Sequence, residues 1–374
     1  MNAQHLSSRD HGRSGSRGPR PTLKDVAGLA KVSIKTVSRV INDDPHVAPQ
    51  TRGEVTRAIE MLGYVPDPAA RSLRAGTDRT VGVVVDSIGD IFFAELVAKV
   101  EEILDEAGYH ALIASSNRDR ARERETVLSL VQRRTAGLIV APTSEVSLDG
   151  LPIRDTPVVF VDRVGSMPGA QSVVADDRGL ARLATEHLIR HGHRRIAVIS
   201  DVEAVATTRE RHLGYRDALA AAGIALDESL VRPDCPDAPA VIGALGALLE
   251  AAEPPTAILS TSSRLSLGIV PVLHQHGRTD IALVSYGDFA MADSLSPAVT
   301  VIDHSASAMG EAAARSLVAR LLGPPEQEPL PSVIQVPARL IPRGSGELAP
   351  WTHHGRDGPP PPHDAAPRDK KEEE

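Results

Sequence analysis

Thr22 to Asn42 reads TLKDVAGLAKVSIKTVSRVIN, and its apolar spacing confines this stretch to a narrow set of folds. Leu23, Val26, Ala27 and Ala30 recur at helical intervals, and so do Val37, Val40 and Ile41 after a break at Lys31 and Val32. Thr22 followed three residues on by Asp25 has capping-box character, and Ser33 suits the N-cap of a second helix. Two short helices joined by a tight turn are therefore predicted. Turning Val37, Val40 and Ile41 inward leaves Ile34, Lys35, Ser38 and Arg39 on the opposite face, with Asn42 just past the end. Such side chains reach phosphates and base edges, and a helix offering them from its N-terminal half fits the DNA major groove. For this segment taken alone, a helical hairpin with a solvated polar face is an open alternative.

The segments that follow narrow the choice. Val47 to Arg52 (VAPQTR), Leu62 to Pro66 (LGYVP) and Ala69 to Leu73 (AARSL) come next in order. With them, the first stretch resembles the DNA-binding head of the LacI/GalR family of bacterial transcriptional regulators, and the similarity continues to about Arg343. The resemblance implies that Thr22, Ser33, Ile34 and Lys35 contact DNA, together with Thr36, Ser38, Arg39 and Asn42. It also implies that Ala69 to Arg74 forms a hinge helix on operator DNA, where Leu73 wedges open a central minor-groove step. Two positions depart from the family pattern. Lys31 stands where the turn often has Gly, and Ala48 where the third helix usually has a hydroxyl cap, each costing up to ~1 kcal/mol.

Charge is unevenly distributed along the chain. The net charge is −8 over 374 residues, yet up to Gly76 twelve Lys and Arg face seven Asp and Glu, +5, which leaves −13 for the remainder. A basic head on an acidic body draws DNA to one end of the molecule. Length allows two or three domains, and the 41% hydrophobic content is ordinary for a soluble protein with no membrane span. A single cysteine, Cys235, excludes internal disulfides, and the N-terminus lacks an apolar signal core, so a reducing cytoplasm is the expected compartment.

Residues 1–20 are rich in Ser, Gly and Arg without apolar period and read as a disordered basic arm. Val55, Ile59 and Leu62 mark a third helix that begins near Pro49 and stops at Gly63, completing a helix-turn-helix domain over 21–65. Residues 66–77, set off by Pro66 and Pro68, form the hinge segment. From Thr80, short β-branched runs at Val81–Val85, His110–Ala114, Leu138–Ala141, Val158–Val161, Ile196–Ile199, Ala257–Leu259 and Ala282–Val284 alternate with amphipathic helices. That alternation predicts doubly wound α/β layers with sites beyond the carboxyl ends of the strands.

By resemblance, 78–343 is a two-lobed, periplasmic-binding-protein-like core that binds an effector and dimerises. One lobe is expected to hold Asp78 to about Asp176 plus Ser305–Leu322, and the other most of Asp177–Val301 with the strand near Val333–Leu340. The expected effector residues are Phe92, Phe93, Asp162, Arg163, Arg209, Arg211, Tyr286 and Asp288. Arg211 matches the family's effector-clamping arginine, and its planar fork suits two ligand oxygens at once. Departures at Asp90 with Ile91, at Ser262 with Ser263 and at Gly287 alter several hydrogen-bonding positions. With aromatic residues only 2% of the chain, stacking would rest on little beyond Phe92, Phe93, Tyr215 and Phe289.

His187 and His191 have a metal-like spacing beside His193, but no HExxH, GxSxG, P-loop or cysteine cluster is present, so the histidines read as structural and no enzyme or cofactor is expected. Arg118–Glu125 reads as a solvated helical face, and 344–374 as a disordered tail. The chain as a whole is expected to be a homodimeric regulator, most simply a repressor, of double-stranded operator DNA, tuned by a small-molecule effector that is sugar-like or nucleoside-like. A ligand-independent DNA binder and a solute-binding protein are the alternatives.

Overall fold

The computed structural model describes residues 21–41, 44–64, 79–153, 156–323 and 332–351. The chain splits into two compact units, Met1–Asp78 and Arg79–Glu374. The arm at 1–20, Asn42, the hinge with Leu73, and everything beyond Trp351 lie outside the described residues.

The head contains α1 (Leu23–Leu29), α2 (Ile34–Ile41) and α3 (Pro49–Leu62). The capping box forms: Thr22 N–H and Oγ1–H donate to Asp25 Oδ2 at 2.7 and 2.6 Å, and Asp25 N–H reaches back to Thr22 Oγ1 at 3.4 Å. In the turn, Lys31 adopts φ 53°, the left-handed region that favours glycine. Ala48 caps α3 without a side-chain hydrogen bond, while Gly63 at φ 59° ends it. There the N–H groups of Gly63 and Tyr64 return to the Glu60 and Ile59 carbonyls, satisfying two of the last turn's acceptors. Val26, Ala27, Ala30, Val37, Val40, Val55 and Ala58 form one small buried core, with the predicted apolar faces turned inward.

The second unit begins with β1 (Thr80–Val85), α4 (Ile91–Glu106), β2 (His110–Ser115), α5 (Arg120–Gln132), β3 (Gly137–Val140), β4 (Val158–Val161) and β5 (Gln171–Val174). It continues with α6 (Asp177–Arg190), β6 (Ile196–Ile199), α7 (Ala206–Ala221), β7 (Val231–Arg232) and α8 (Ala238–Leu249). Next come β8 (Ala257–Ser260), α9 (Ser263–Gln275), β9 (Ala282–Tyr286) and β10 (Thr300–Asp303), and then α10 (Ala306–Leu322), β11 (Val333–Gln335) and β12 (Arg339–Ile341). Among the described residues two six-stranded sheets form, ordered β11-β5-β4-β3-β1-β2 and β12-β10-β9-β8-β6-β7. All neighbours pair in parallel except β10 with β12. Apart from Thr80 at the start of β1, the central strands are buried along their whole length, which is why they read as unbroken apolar runs.

Two expectations need correction. The sequence reading places the whole strand near Val333–Leu340 in the second lobe, but β11 pairs with β5 of the first sheet and only β12 joins the second. Pro337 lies between them and cannot donate to a ladder, so one predicted strand becomes two in different sheets. The tail does not begin at 344. Ser345–Glu347 form a 3₁₀ turn whose Ser345 is buried, donating to the Leu283 carbonyl at 2.6 Å and accepting from Thr300 N–H at 2.9 Å. Polar anchoring of this kind leaves no apolar period for a sequence reading to detect.

Close helix packing closes the layers. A Cβ on Gly310 would stand 2.4 Å from the Leu96 carbonyl oxygen, and one on Gly214 would stand 2.1 Å from that of Arg178. Glycine thus lets α10 lie against α4 and α7 against α6. Among the described residues no helix is long and apolar enough to cross a membrane.

Candidate DNA-reading face and ligand cleft

On α2 the predicted face is the outer one. Ile34, Lys35 and Arg39 are exposed, Thr36 and Ser38 half-buried, and Ser33 caps the helix by accepting from Thr36 N–H at 3.1 Å. Thr22 is bound to Asp25, so its role in the free head is to start α1. Arg39 lies 3.5 Å from Asp44, with side chains 54% and 28% exposed. An ion pair this exposed is weak, so a phosphate or base edge competes with it easily. Hydrogen bonds from the backbone and ring of His46, with Arg39 adding, hold the Asp44 carboxyl below its usual range. Asn42 and Leu73 fall outside the described residues.

In the core, both sheets change direction of winding at one place. The chain passes from β1 outward to β2 and back across to β3, and likewise from β6 to β7 and back to β8. Asp86 follows β1 and Asp201 follows β6, so one carboxylate stands at each switch point, where open α/β sheets bind ligands. Asp162 with Arg163 follows β4, Thr261 follows β8, and His304 follows β10.

Arginine and aspartate fill this region. Arg163 holds Asp86 bidentately at 3.0 and 2.5 Å, donates to the Pro142 carbonyl at 3.2 Å, and lies 3.1 Å from Asp162. Arg211 donates through Nε to Asp177 and through Nη1 to the Thr261 carbonyl, both at 2.7 Å, with its plane 3.8 Å over the Tyr286 ring. The Tyr286 hydroxyl donates to the same Asp177 oxygen at 2.8 Å. Arg118 lies 3.3 Å from Asp86 and 2.6 Å from Asp201, and Arg264 lies 2.5 Å from Asp201. Burial pushes the Asp162 carboxyl up to about 6 despite Arg163, and burial with Arg211 nearby pushes the His304 imidazole down to about 3. Burial also opposes the charge on Asp201, but Arg118 and Arg264 outweigh it and its pKa is lowered.

Between the lobes remains a cavity of about 60 Å³. Phe92, Phe93, Asp162, Arg163, Arg211 and Tyr286, all predicted, line it. The ring of Phe92 stacks on His304 at 4.6 Å and meets Phe93 edge-on at 5.2 Å. Thr207, Thr208, Thr261 and Ser263 also border the cavity, and the buried Thr261 hydroxyl has no hydrogen-bond partner among the described residues.

The structure does not bring Arg209 or Asp288 to this cavity. Arg209 is exposed on the outer face of α7, donating to the Glu203 and Ala204 carbonyls, because residues two apart on a helix diverge and Arg211 takes the inner side. Asp288 faces away into a bidentate pair with Arg343 at 2.8 and 2.5 Å. Arg118, read as part of a solvated helical face, precedes α5 and lies in the cleft. Asp201 and His304 were missed. Asp201 follows a recognised strand, so the strand-end rule would have found it, whereas β10 before His304 was not recognised. The three histidines are bound within the protein: His187 to Glu347, His191 to the His187 carbonyl, and His193 to Thr256 and the Leu348 carbonyl.

A three-helix head with polar side chains turned out from its second helix, carried by the same chain as a two-lobed α/β core around a polar cleft, defines a DNA-binding transcriptional regulator with a periplasmic-binding-protein-like core. Residues 22–67 match the family described as bacterial regulatory proteins, lacI family, and residues 78–343 match periplasmic binding proteins and sugar binding domain of LacI family. The chain belongs to the LacI family, whose members are regulators and not enzymes. It is 33% identical to the HTH-type transcriptional regulator GalR of Escherichia coli K12 over 84% of this chain and 92% of that one. Among solved structures it resembles a transcriptional regulator CelR–cellobiose complex at 32% identity, with a TM-score of 0.61 over 87% of this chain and all of that one. The Lac repressor dimer bound to operator and the anti-inducer ONPF aligns with a TM-score of 0.74 over 88% of this chain and all of that one; at 24% identity this likeness concerns the fold.

Proposed function

We propose that the protein is a repressor that binds a near-palindromic operator as a homodimer and is modulated by a small, uncharged, polyhydroxylated effector, sugar-like or nucleoside-like. The observation that carries the effector class is that the cleft charges are met from within the chain. Asp86, Asp162, Asp177 and Asp201 each face an arginine, so a charged ligand would have to break an internal pair. A neutral one would add hydrogen bonds to hydroxyls such as that of Thr261. The match to a sugar-binding domain and the likeness to a relative solved with cellobiose support this reading. Two-fold symmetry of the protein would be mirrored in half-sites about one helical turn apart. Its place would be the cytoplasm, where the DNA is.

The test has two arms. Footprinting on inverted-repeat DNA should give a symmetric protected site whose affinity falls steeply with salt as counterions are released. A thermal-shift panel of neutral sugars, nucleosides, sugar phosphates and sugar acids should stabilise the core only with neutral members. Stabilisation by a phosphorylated or acidic member would overturn the uncharged class. The small cavity favours one second reading, a ligand-independent regulator, and a panel with no response at millimolar concentrations would support it.

A further inference from the structure

We propose that Arg118 is an interlobe latch, its guanidinium joining the Asp86 carboxylate of the first lobe to Asp201 of the second and holding the cleft shut before any ligand arrives. The proposal concerns the free protein and stands whether or not the effector reading holds. Its basis is position: Arg118 meets both carboxylates that mark the two switch points, at 3.3 and 2.6 Å. The neighbouring pairs cannot do this, since Arg163 binds Asp86 and Asp162 within the first lobe, and Arg211 with Asp177 and Arg264 with Asp201 lie within the second.

The backbone is set to aim this side chain. Asn117 at φ 53° and Arg118 at φ 60° are consecutive left-handed residues, a conformation unusual for arginine and held here because Asn117 N–H donates to the Asp86 carbonyl and Arg118 N–H to Ser116 Oγ. The receiving carboxylate is fixed as well. Asp201 Oδ1 accepts from Val202 N–H at 2.7 Å, which leaves Oδ2 to take both Arg118 and Arg264. The Arg118 side chain is 32% exposed, so salt in solution can reach and weaken the bridge.

A latch of this kind does two things to a ligand. It raises the closed fraction in advance, so a ligand that binds the closed form gains apparent affinity in proportion. It also obstructs the mouth, so entry requires the bridge to open. Size selection follows, because a ligand that keeps Arg118 on Asp201 must fit behind it.

The test uses the full chain without ligand. Cysteines replacing exposed Glu125 on α5 and exposed Glu210 on α7 carry spin labels, and Cys235, 2% exposed, stays unlabelled. Diluting labelled chains with unlabelled ones isolates the distance across one cleft. At low salt the otherwise native chain should give one short distance. Arg118→Ala and Asp201→Asn should each shift the open-to-closed ratio by about tenfold toward a longer one, within the range of ordinary conformational couplings. Arg264→Ala, which removes a partner from the same lobe, should leave the distance short. About 1 M NaCl, where the screening length falls to about 3 Å, should open the native cleft and change Arg118→Ala little. Should Arg118→Ala fail to fold, Arg118→Gln takes its place. Unchanged distances in the Arg118 and Asp201 variants would overturn the latch, and so would equal opening in all three variants, which would mean general loosening.

Discussion

The outward face of α2 and the interlobe cleft both carry the side chains proposed for recognition, but under opposite conditions. On α2 Ile34, Lys35 and Arg39 stand in solvent, and Arg39 faces an Asp44 carboxylate that is itself 28% exposed. In the cleft, Arg163 and Arg211 are nine-tenths buried, and each is bound by residues far away in sequence. An exposed reader can be exchanged with little effect on the fold, whereas a buried one is part of the fold it serves. Stability and recognition should therefore separate in the head and coincide in the core.

The largest effect is expected for Arg211→Ala. It leaves Asp177 buried without its guanidinium and removes the plane over Tyr286, and breaking a buried pair in this way costs about 3–5 kcal/mol. Trp351, the one tryptophan of the chain, packs beside Arg278 in the core, so urea unfolding followed by its fluorescence reads the loss directly. Arg211 would then be indispensable to the core as well as to any response to ligand. A variant of native stability that merely fails to respond would place Arg211 with the head's readers instead.

The next largest effect is proton-linked. Asp162 titrates near 3.8 in the unfolded chain and at about 6 in the fold, so its contribution to stability is full below about 3.8 and lost as pH rises through 6. At 1.36 kcal/mol per unit this amounts to roughly 3 kcal/mol. His304 works the other way: moved from 6.5 down to about 3, it contributes fully above 6.5 and loses that contribution as pH falls. The two partly cancel in the native profile. Comparing the native chain with Asp162→Asn separates them, and the variant should gain relative stability steadily between pH 4 and 7 by roughly that amount. A constant difference across this range would mean that Asp162 is ionised in the fold. In the head, hydrogen bonds from Thr22 and His46 hold the Asp25 and Asp44 carboxyls below their usual range, so their contributions are lost only on acidification below the ordinary carboxylate range.

The same contrast explains what a sequence reading could see. The head was legible almost to the residue, since Val26, Val37, Val40 and Val55 reveal the buried faces and the rest is outward by elimination. In the core, the central strands showed as apolar runs, but β5 (QSVV), β7, β10 and α8 did not, because their sequences are short, polar or glycine-interrupted. In the cleft, strand ends and resemblance located Asp162, Arg163, Arg211 and Tyr286. They could not show that Arg118 spans to Asp201 across 83 positions of sequence, nor that Arg211's fork is already engaged by Asp177 and Thr261. Partnerships between distant loops leave no periodic trace.

In the head, Arg39→Ala should weaken operator binding by ~1–3 kcal/mol if the side chain meets a base edge, with thermal unfolding of both units unmoved. Anisotropy titration on operator DNA and calorimetry on the same sample measure the two quantities. A stability loss comparable with the affinity loss would contradict the separation claimed for α2.

The smallest effect is expected at position 48, where the head's stability changes while the outward side chains of α2 stay as they are. Ala48 already has a non-helical backbone, as an N-cap requires, at φ −56° and ψ 140°, and offers no side-chain acceptor. Pro49 has no N–H, and the Arg52 N–H already bonds the Ala48 carbonyl at 3.0 Å, which leaves the amides of Gln50 and Thr51 at the open end of α3. A hydroxyl at position 48 can accept from one of them, so Ala48→Ser should stabilise the head by about 0.5–1 kcal/mol. Calorimetry should show the head's transition moving up while the core, followed through Trp351, stays in place. Equal movement of both transitions would mean that head and core unfold as one cooperative unit, and would end the contrast between a head that tolerates exchange and a core that does not.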